Sequence, residues 1–252
     1  MNDNLTDFGF SRVPVAEKAS RVAQVFDSVA GRYDVMNDIM SFGSHRLMKR
    51  FAVEMTALRP GQQALDVAGG TGDLTALMSP IVGLEGRVVL CDINGSMVSE
   101  GRDRLIDSGV AGNVDFVIGD AEKLPFEPHS FDAVTIAFGL RNVTDKDAAL
   151  RSMLGVLKPG GRMVILEFSK PPSPVLKGAL DLFKQAWPTI GRAVVGDADS
   201  YRYLVESIEM HPDQEALKSM MLEAGFTQCR YHNLAGGAAA IHFGIKDPSC
   251  PS

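Results

Sequence analysis

Leu65-Asp66-Val67-Ala68-Gly69-Gly70-Thr71-Gly72-Asp73-Leu74-Thr75 joins two kinds of sequence. Ala64–Ala68 is a short, mostly apolar run that reads as a buried strand, and a helical pattern follows from Leu74. Between them stand Gly69, Gly70, Thr71 and Gly72. Glycines at a strand-to-helix turn let the backbone bend sharply and let a ligand approach with no Cβ in the way. The helix that follows offers unpaired N–H groups to polar ligand atoms. A glycine triplet alone occurs in many surface turns, so the next strand matters. Arg87–Leu90 is apolar after its first residue and ends in Cys91-Asp92. Asp92 lies 20 residues beyond Gly72, where an acidic side chain can grip the two hydroxyls of a ribose.

Outward from this stretch, strands and helices alternate. Strands are predicted at 63–68, 87–92, 114–118, 132–138 and 162–168, and helices at 73–79, 96–108 and 145–157. Thr144 followed by Asp147 reads as the capping box of the last of these. Lys158-Pro159-Gly160-Gly161 reads as a structural tight turn. Apolar strands alternating with helices mean a doubly wound, mostly parallel α/β sheet. About 60 residues of helix precede it, with helices expected at Glu17–Ala30 and His45–Leu58 and a loose tail at 1–14. Tyr33, Met36 and Met40 form an apolar stripe there, which at helical spacing most simply packs a core. Residues 172–212 interrupt the alternation with Pro172, Pro174 and a Trp187-bearing helix. A helix from about Pro212 to Gly225 and strands at 226–232 and 238–245 close the chain. A late hairpin on such a sheet resembles class I methyltransferases, whereas dehydrogenases continue with parallel strands. The reading is one domain over 1–252: a helical segment at 1–60, a core at 61–171, an insertion at 172–212 and a closing helix and hairpin at 213–246.

Composition bounds the function. The chain has 252 residues, a net charge of −6 and a pI near 5.4, which does not suggest a nucleic-acid partner. Cysteines at 91, 229 and 250 have no metal-ligand spacing and fit a reducing cytoplasm without a metal. The start, MNDNLTDFGF, is not a secretory signal. No apolar run reaches 18 residues, so any membrane contact is expected at the surface.

Two further strand ends carry polar groups. Gly119-Asp120-Ala121-Glu122 ends the third strand, where Asp120 can accept from an adenine amino group and the N–H of Ala121 can meet a ring nitrogen. The competing reading is that Asp120 only caps a turn. After the fourth strand comes Gly139-Leu140-Arg141-Asn142, an Arg-Asn pair beside the same crevice.

Taken together, VFDSVAGRYDVMNDIMSFGSHRLMKR (25–50), LDVAGGTGDLT (65–75), AFGLRNVTDKDAALRSMLGVLKPGGRMVILEFSKP (137–171) and DADSYRYLVESIEMHPDQEALKSMMLEAGF (197–226) make the chain resemble the UbiE family, the ubiquinone/menaquinone biosynthesis C-methyltransferases. The glycine motif is shared by all class I methyltransferases, while RYDxMN, FGLRN and DADSYRYLxESI are more specific. The resemblance implies a seven-stranded, mostly parallel sheet with one antiparallel edge strand and helices on both faces. It implies S-adenosyl-L-methionine as cofactor, held by the Gly69, Gly70, Thr71 and Gly72 loop with Asp92, Asp120 and Ala121. The family often has Ser where this chain has Ala137, so a contact there falls to the backbone. Arg141, Asn142 and Tyr33 look like substrate-side, catalytic groups. The implied reaction is methylation of a ring carbon of a polyprenylated quinol. Expected partners are that quinol, a membrane surface, other quinone-biosynthesis enzymes and a second copy of the chain as a homodimer. The expected location is the cytoplasm, at the inner face of the membrane. A methyltransferase of another amphiphile, such as a sterol or phospholipid headgroup, would not need FGLRN or RYDxMN. A dehydrogenase would want a fuller G-x-G-x-x-G, and a non-catalytic subunit an eroded loop.

Overall fold

The computed structural model describes residues 5–29, 43–110, 112–178, 180, 182 and 198–249. Strands β1 (Leu5–Phe8) and β2 (Ser11–Pro14) form a small antiparallel hairpin. Helices α1 (Val15–Val29) and α2 (His45–Thr56) follow. Then come β3 (Gln63–Val67), α3 (Asp73–Val82), β4 (Arg87–Asp92), α4 (Gly95–Asp107), β5 (Val114–Ile118), β6 (Phe131–Ala137), α5 (Lys146–Val156) and β7 (Leu157–Phe168). Helices α6 (Ala198–Met210) and α7 (Gln214–Glu223) precede β8 (Thr227–Leu234) and β9 (Ala239–Ile245).

Strands β3 to β9 make one seven-stranded sheet in the order β5-β4-β3-β6-β7-β9-β8. The pairs β3–β4, β3–β6, β4–β5 and β6–β7 are parallel, and β9 runs antiparallel to both its neighbours, β7 and β8. The closing hairpin thus supplies the single strand that runs against the rest.

Period-two burial explains why the strands read as apolar runs. Leu65, Val67, Val89 and Cys91 pack against α5 and α7, beside Leu150, Met153, Leu217 and Met221. Ala64, Val88 and Leu90 face the other way, among Val53, Leu74, Met78, Val82 and Leu105 of α2, α3 and α4. Both sheet faces are covered, as parallel sheets require. Each large aliphatic side chain sealed there contributes about 1.5–3 kcal/mol.

Three local expectations are corrected. Residues 5–14 are the β1–β2 hairpin, not a loose tail. It is held by contacts remote in sequence: Phe8 stacks on Tyr203 with ring centroids 4.4 Å apart, and Phe10 N donates to Glu206 Oε2 at 3.0 Å. The N-cap of α5 is Asp145, whose side chain accepts from Ala148 N, one residue later than the Thr144 capping box implies. Strand β7 begins at Leu157, because Leu157 pairs with Phe131 before the Lys158–Gly161 turn bulges out and pairing resumes at Arg162.

The chain runs from β3 toward β5 on one side and from β6 toward β8 on the other. The order reverses between β3 and β6, and ligands of such sheets bind outside the strand ends at that point.

Candidate active site at the strand ends

A cavity of about 360 Å³ opens there. One wall comes from the strand ends: Gly70, Asp92, Asp120, Ala121, Ala137 and Asn142 all line it, six of the residues singled out from the sequence. The opposite wall is the inner face of α1, with Val15, Ala16, Ala19, Val22 and Ala23. A crevice of about 30 Å³ adjoins it under the glycine loop, lined by Gly69, Gly70 and Thr71 with Lys49, Asp66 and Asp73. Gly72 lines neither space. Its φ of +86° starts α3 in the left-handed region, and a Cβ there would lie 2.8 Å from Leu105 Cδ1. Tyr33 lies outside the described residues.

Asp92 is built into the turn and still open to the cavity. Gly70 N donates to its Oδ2 at 3.0 Å and Asn94 N to its Oδ1 at 2.9 Å. Burial raises its pKa, although the backbone N–H groups of Asn94, Gly70 and Ile93 pull the other way. A carboxylate offers about four acceptor sites. Held by backbone N–H groups on both oxygens, it keeps acceptor capacity for neighbouring hydroxyls on the cavity side, so the residues present fit a nucleoside ribose.

Asp120 Oδ1 accepts from Glu122 N at 2.9 Å. It therefore caps its turn, and the residue also lines the cavity. Glu122 Oε1 in turn accepts from Thr144 N and Asp145 N at 3.0 and 2.9 Å, tying the β5 loop to the loop after β6. Lys18 of α1 donates to Val143 O in that loop at 3.3 Å. Burial, and after it the neighbouring Lys146, pushes the Lys18 ammonium down to about 8. This latch sets the apolar face of α1 over the cavity.

Backbone strain gathers at the same place. Ala68, just after β3, has φ +50°, and Phe138, just after β6, has φ +55°. L-residues in that region cost on the order of 1–3 kcal/mol each and persist only when surroundings enforce them. Gly139 shows how close the two strand ends are, since a Cβ there would meet Ala68 Cβ at 2.6 Å.

Arg141 does not line the cavity. Its side chain is 4% exposed and is paired with Glu167. Its Nη1 donates to Glu167 Oε1 at 2.9 Å and to Phe138 O, and the guanidinium lies over the Phe168 ring, 5.3 Å from the centroid. Asn142, the next residue, does face the cavity, and its Oδ1 accepts from Tyr203 Oη at 3.0 Å. Burial pushes the Tyr203 phenol up to about 12 against the opposing pull of Arg141, so it stays neutral and donates. Lys49, Asp66, Glu167 and Tyr203 are residues of this region that sequence reasoning missed. All four lie in the stretches that carry the resemblance, but spacing along their own helix or strand does not show that their side chains turn toward this region.

A doubly wound sheet closed by an inserted antiparallel strand, with a glycine loop and a ribose-ready Asp92 at its switch point, defines a nucleoside-dependent transferase of the class I methyltransferase fold. Solved structures agree on the fold: the [4+2]-cyclase SpnF matches with a TM-score of 0.66 over 90% of this chain and 96% of its own, at 18% identity. A SAM dependent methyltransferase from Aquifex aeolicus matches with a TM-score of 0.61 over 84% of this chain and 97% of its own, at 16% identity. The sequence is more specific. The chain belongs to the ubiE/COQ5 methyltransferase family, whose model matches residues 15–246. It is 61% identical over 242 residues, 96% of this chain and 94% of the relative, to the ubiquinone/menaquinone biosynthesis C-methyltransferase UbiE of Ectopseudomonas mendocina (strain ymp). It is 60% identical over the same shares to that of Pseudomonas aeruginosa (strain LESB58). The chain is a methyltransferase that uses S-adenosyl-L-methionine.

Proposed function

We propose that the chain methylates a ring carbon of a polyprenylated quinol in ubiquinone and menaquinone biosynthesis: 2-polyprenyl-6-methoxy-1,4-benzoquinol, demethylmenaquinol or both. The observation that carries this is the make-up of the cavity. Its polar wall, with Asp92, Asp120 and Ala121, suits a nucleoside. Its far wall is the alanine and valine face of α1, with Asn142 as the polar group between the two. That is the complement of an apolar molecule with one or two ring oxygens.

When bound, S-adenosyl-L-methionine supplies an electrophilic methyl group on a sulfonium. The chain's part is to align and to stabilise charge. Asp92 takes the ribose hydroxyls and Asp120 with Ala121 the adenine. The ring carbon becomes a nucleophile when its neighbouring phenol gives up its proton. Tyr203 donates to Oδ1 of Asn142, which leaves the amide N–H₂ as the donor for that phenolate oxygen. Arg141, held by Glu167, acts as a positioning residue for this turn and keeps Asn142 on the wall. S-adenosyl-L-methionine would supply the methyl group to the ring carbon; the phenol proton leaves to water, the methylated carbon then sheds its own proton and the ring oxygen regains one, so one proton goes to solvent for each methyl group gained. Tyr33 is assigned to the substrate side by its RYDxMN segment, and 1–60 and 172–212 to covering the apolar tail.

A prenyl tail resides in a bilayer, so the protein works at a membrane surface from the cytoplasmic side. Among the described residues no helix is long and apolar enough to cross a membrane. Exposed Val175, Leu176 and Leu182 after β7 support surface contact. Contacts with other quinone-biosynthesis enzymes and a homodimer are compatible with this reading.

The test is an anaerobic assay with labelled S-adenosyl-L-methionine, run with and without dithionite. Methyl transfer is expected only to the reduced, prenylated ring, because a quinone has no phenol to push electron density into the ring. Equal transfer to the oxidised quinone would overturn the mechanism, and transfer to sterol or phospholipid acceptors alone would overturn the substrate.

A further inference from the structure

We infer that the β1–β2 hairpin belongs to the methyl-transfer machinery, with Phe8 as a positioning residue that holds Tyr203, and through Tyr203 the amide of Asn142. The inference rests on the role proposed for Asn142 as donor to the ring oxygen. It extends that role to a segment that precedes residue 15, where the match to the family model begins.

Two strands of four residues each do not hold together alone, because an isolated two-stranded hairpin is marginally stable in water. This one is seated on α6. Phe8 stacks on the Tyr203 ring, with an interplanar angle of 23° and centroids 4.4 Å apart. Gly9, in the turn, is buried and has φ +58°. A Cβ there would overlap Glu206 Oε2 and lie 2.9 Å from Glu206 Cβ, so the backbone itself rests on the helix. Phe10 N donates to that same Oε2 at 3.0 Å. Tyr203 and Glu206 stand one turn apart on one face of α6, and the hairpin turn closes on both.

The far end of this contact is at the cavity. Tyr203 is 7% exposed, and its Oη donates to Asn142 Oδ1 at 3.0 Å. The bond requires the ring to keep one rotamer, and Phe8 covers a face of that ring. Without Phe8 the face meets water and the side chain gains room to leave the rotamer.

A second contact reaches the next residue. Strand β2 ends at Pro14 and α1 begins at Val15, so the hairpin and the α1 wall of the cavity are continuous. Lys18 Nζ of α1 donates to Val143 O at 3.3 Å, and Lys146 Nζ donates to the same oxygen at 3.1 Å. Asn142 is thus bracketed, by Tyr203 at its side chain and by Val143 along the chain, and both contacts lead to the N-terminal segment. Seating the hairpin sets the apolar wall and the polar donor together. Such placement matters, since a shift of about 1 Å from a change far from the chemistry can cost about 10²-fold in rate.

The test is steady-state kinetics with dithionite-reduced, prenylated benzoquinol, beside calorimetry with S-adenosylhomocysteine. Phe8→Ala should lower kcat about 3- to 10-fold, the scale of one neutral hydrogen bond, and leave S-adenosylhomocysteine affinity within about twofold. Phe8→Tyr, which can stack again, should recover most of the loss. In a Tyr203→Phe background the rings still stack but the bond to Asn142 is gone, so Phe8→Ala should cost less than about twofold more. The same fold loss in both backgrounds would mean that Phe8 only stabilises the protein and would overturn the inference, as would full turnover of Phe8→Ala. Glu206→Ala, on the surface of α6, frees the hairpin from its other anchor and guards against a Phe8→Ala variant that does not fold. It should slow turnover to a similar extent, and full turnover would overturn the inference. Asn142→Ala separates the two levels: full turnover there would reject the donor role itself, whereas a slow Asn142→Ala beside a full-rate Phe8→Ala would reject only the part of the hairpin.

Discussion

Arg141 Nη1 lies 2.9 Å from Glu167 Oε1, with the two side chains 4% and 1% exposed. Glu167 also accepts from Arg141 N at 3.1 Å and from Phe168 N at 2.9 Å. One carboxylate thus fastens the 139–142 turn to the end of β7. An arginine that the sequence reading places beside the substrate is, in the fold, buried against Glu167 and Phe168.

Breaking this pair should be costly. Glu167→Ala leaves a buried guanidinium uncompensated, which costs about 3–5 kcal/mol. The exposed pair Arg21–Glu17 on α1, also at 2.9 Å, should give under about 1 kcal/mol when Glu17 is replaced by Ala. Urea denaturation of both variants makes the comparison, and similar midpoints would remove the supporting role.

Asn142→Ala should lower kcat about 10²–10³-fold, as loss of one donor to a developing oxyanion does, with affinity for S-adenosylhomocysteine unchanged. Tyr203→Phe should reproduce part of that loss, at a stability cost of about 1 kcal/mol. Steady-state kinetics beside calorimetry separates the two effects. A Tyr203→Phe enzyme with full turnover would show that the amide needs no orientation.

Asp92→Ala removes the ribose acceptor and frees Gly70 N and Asn94 N. Loss of charge-assisted bonds of this kind costs about 1.5–3 kcal/mol. Calorimetry should therefore show S-adenosylhomocysteine binding weakened by at least about tenfold. Unchanged affinity would put the nucleoside elsewhere.

Asp66 gives a pH signature. Burial lifts its carboxyl from 3.8 to about 6, against the hydrogen bonds from Thr75 and Thr135. The folded protein therefore holds this proton more tightly than the unfolded chain. The stability contributed is complete below the unfolded value of 3.8 and is lost as pH rises through about 6. Wild type minus Asp66→Asn, followed by urea midpoints, should fall by a few kcal/mol between about pH 4 and pH 6.5 and stay flat above. A difference that rises over that window would reverse the sign of the burial effect.

How far the chain could be read without coordinates differs from residue to residue. The placement of Gly70, Asp92 and Asp120 at the cavity was legible because it depends on backbone shape and on spacing along one strand-turn-helix unit. The β1–β2 hairpin was not. Its strands have four residues each, too few to show an alternation, and they are held by Tyr203 and Glu206, almost 200 residues away. Thr144 and Asp145 compete for one cap, and only the direction in which the chain enters α5 chooses between them.

By itself, then, the sequence determined the alternation of strands and helices from β3 onward, the doubly wound class and the polar loops at the strand ends, while the strand order that puts the switch point between β3 and β6 came from the structure. The alternation and the loops follow from apolar periodicity and local turn chemistry, which neighbouring residues settle among themselves. The tertiary structure alone decided which way the polar side chains face. Arg141 turns inward because Glu167, 26 residues on, is buried on β7; Asn142 faces the cavity with its amide fixed by Tyr203, 61 residues on; and Lys49 reaches Asp73, 24 residues on. A buried charge goes where its partner is, and a partner on another element leaves no trace in the local pattern.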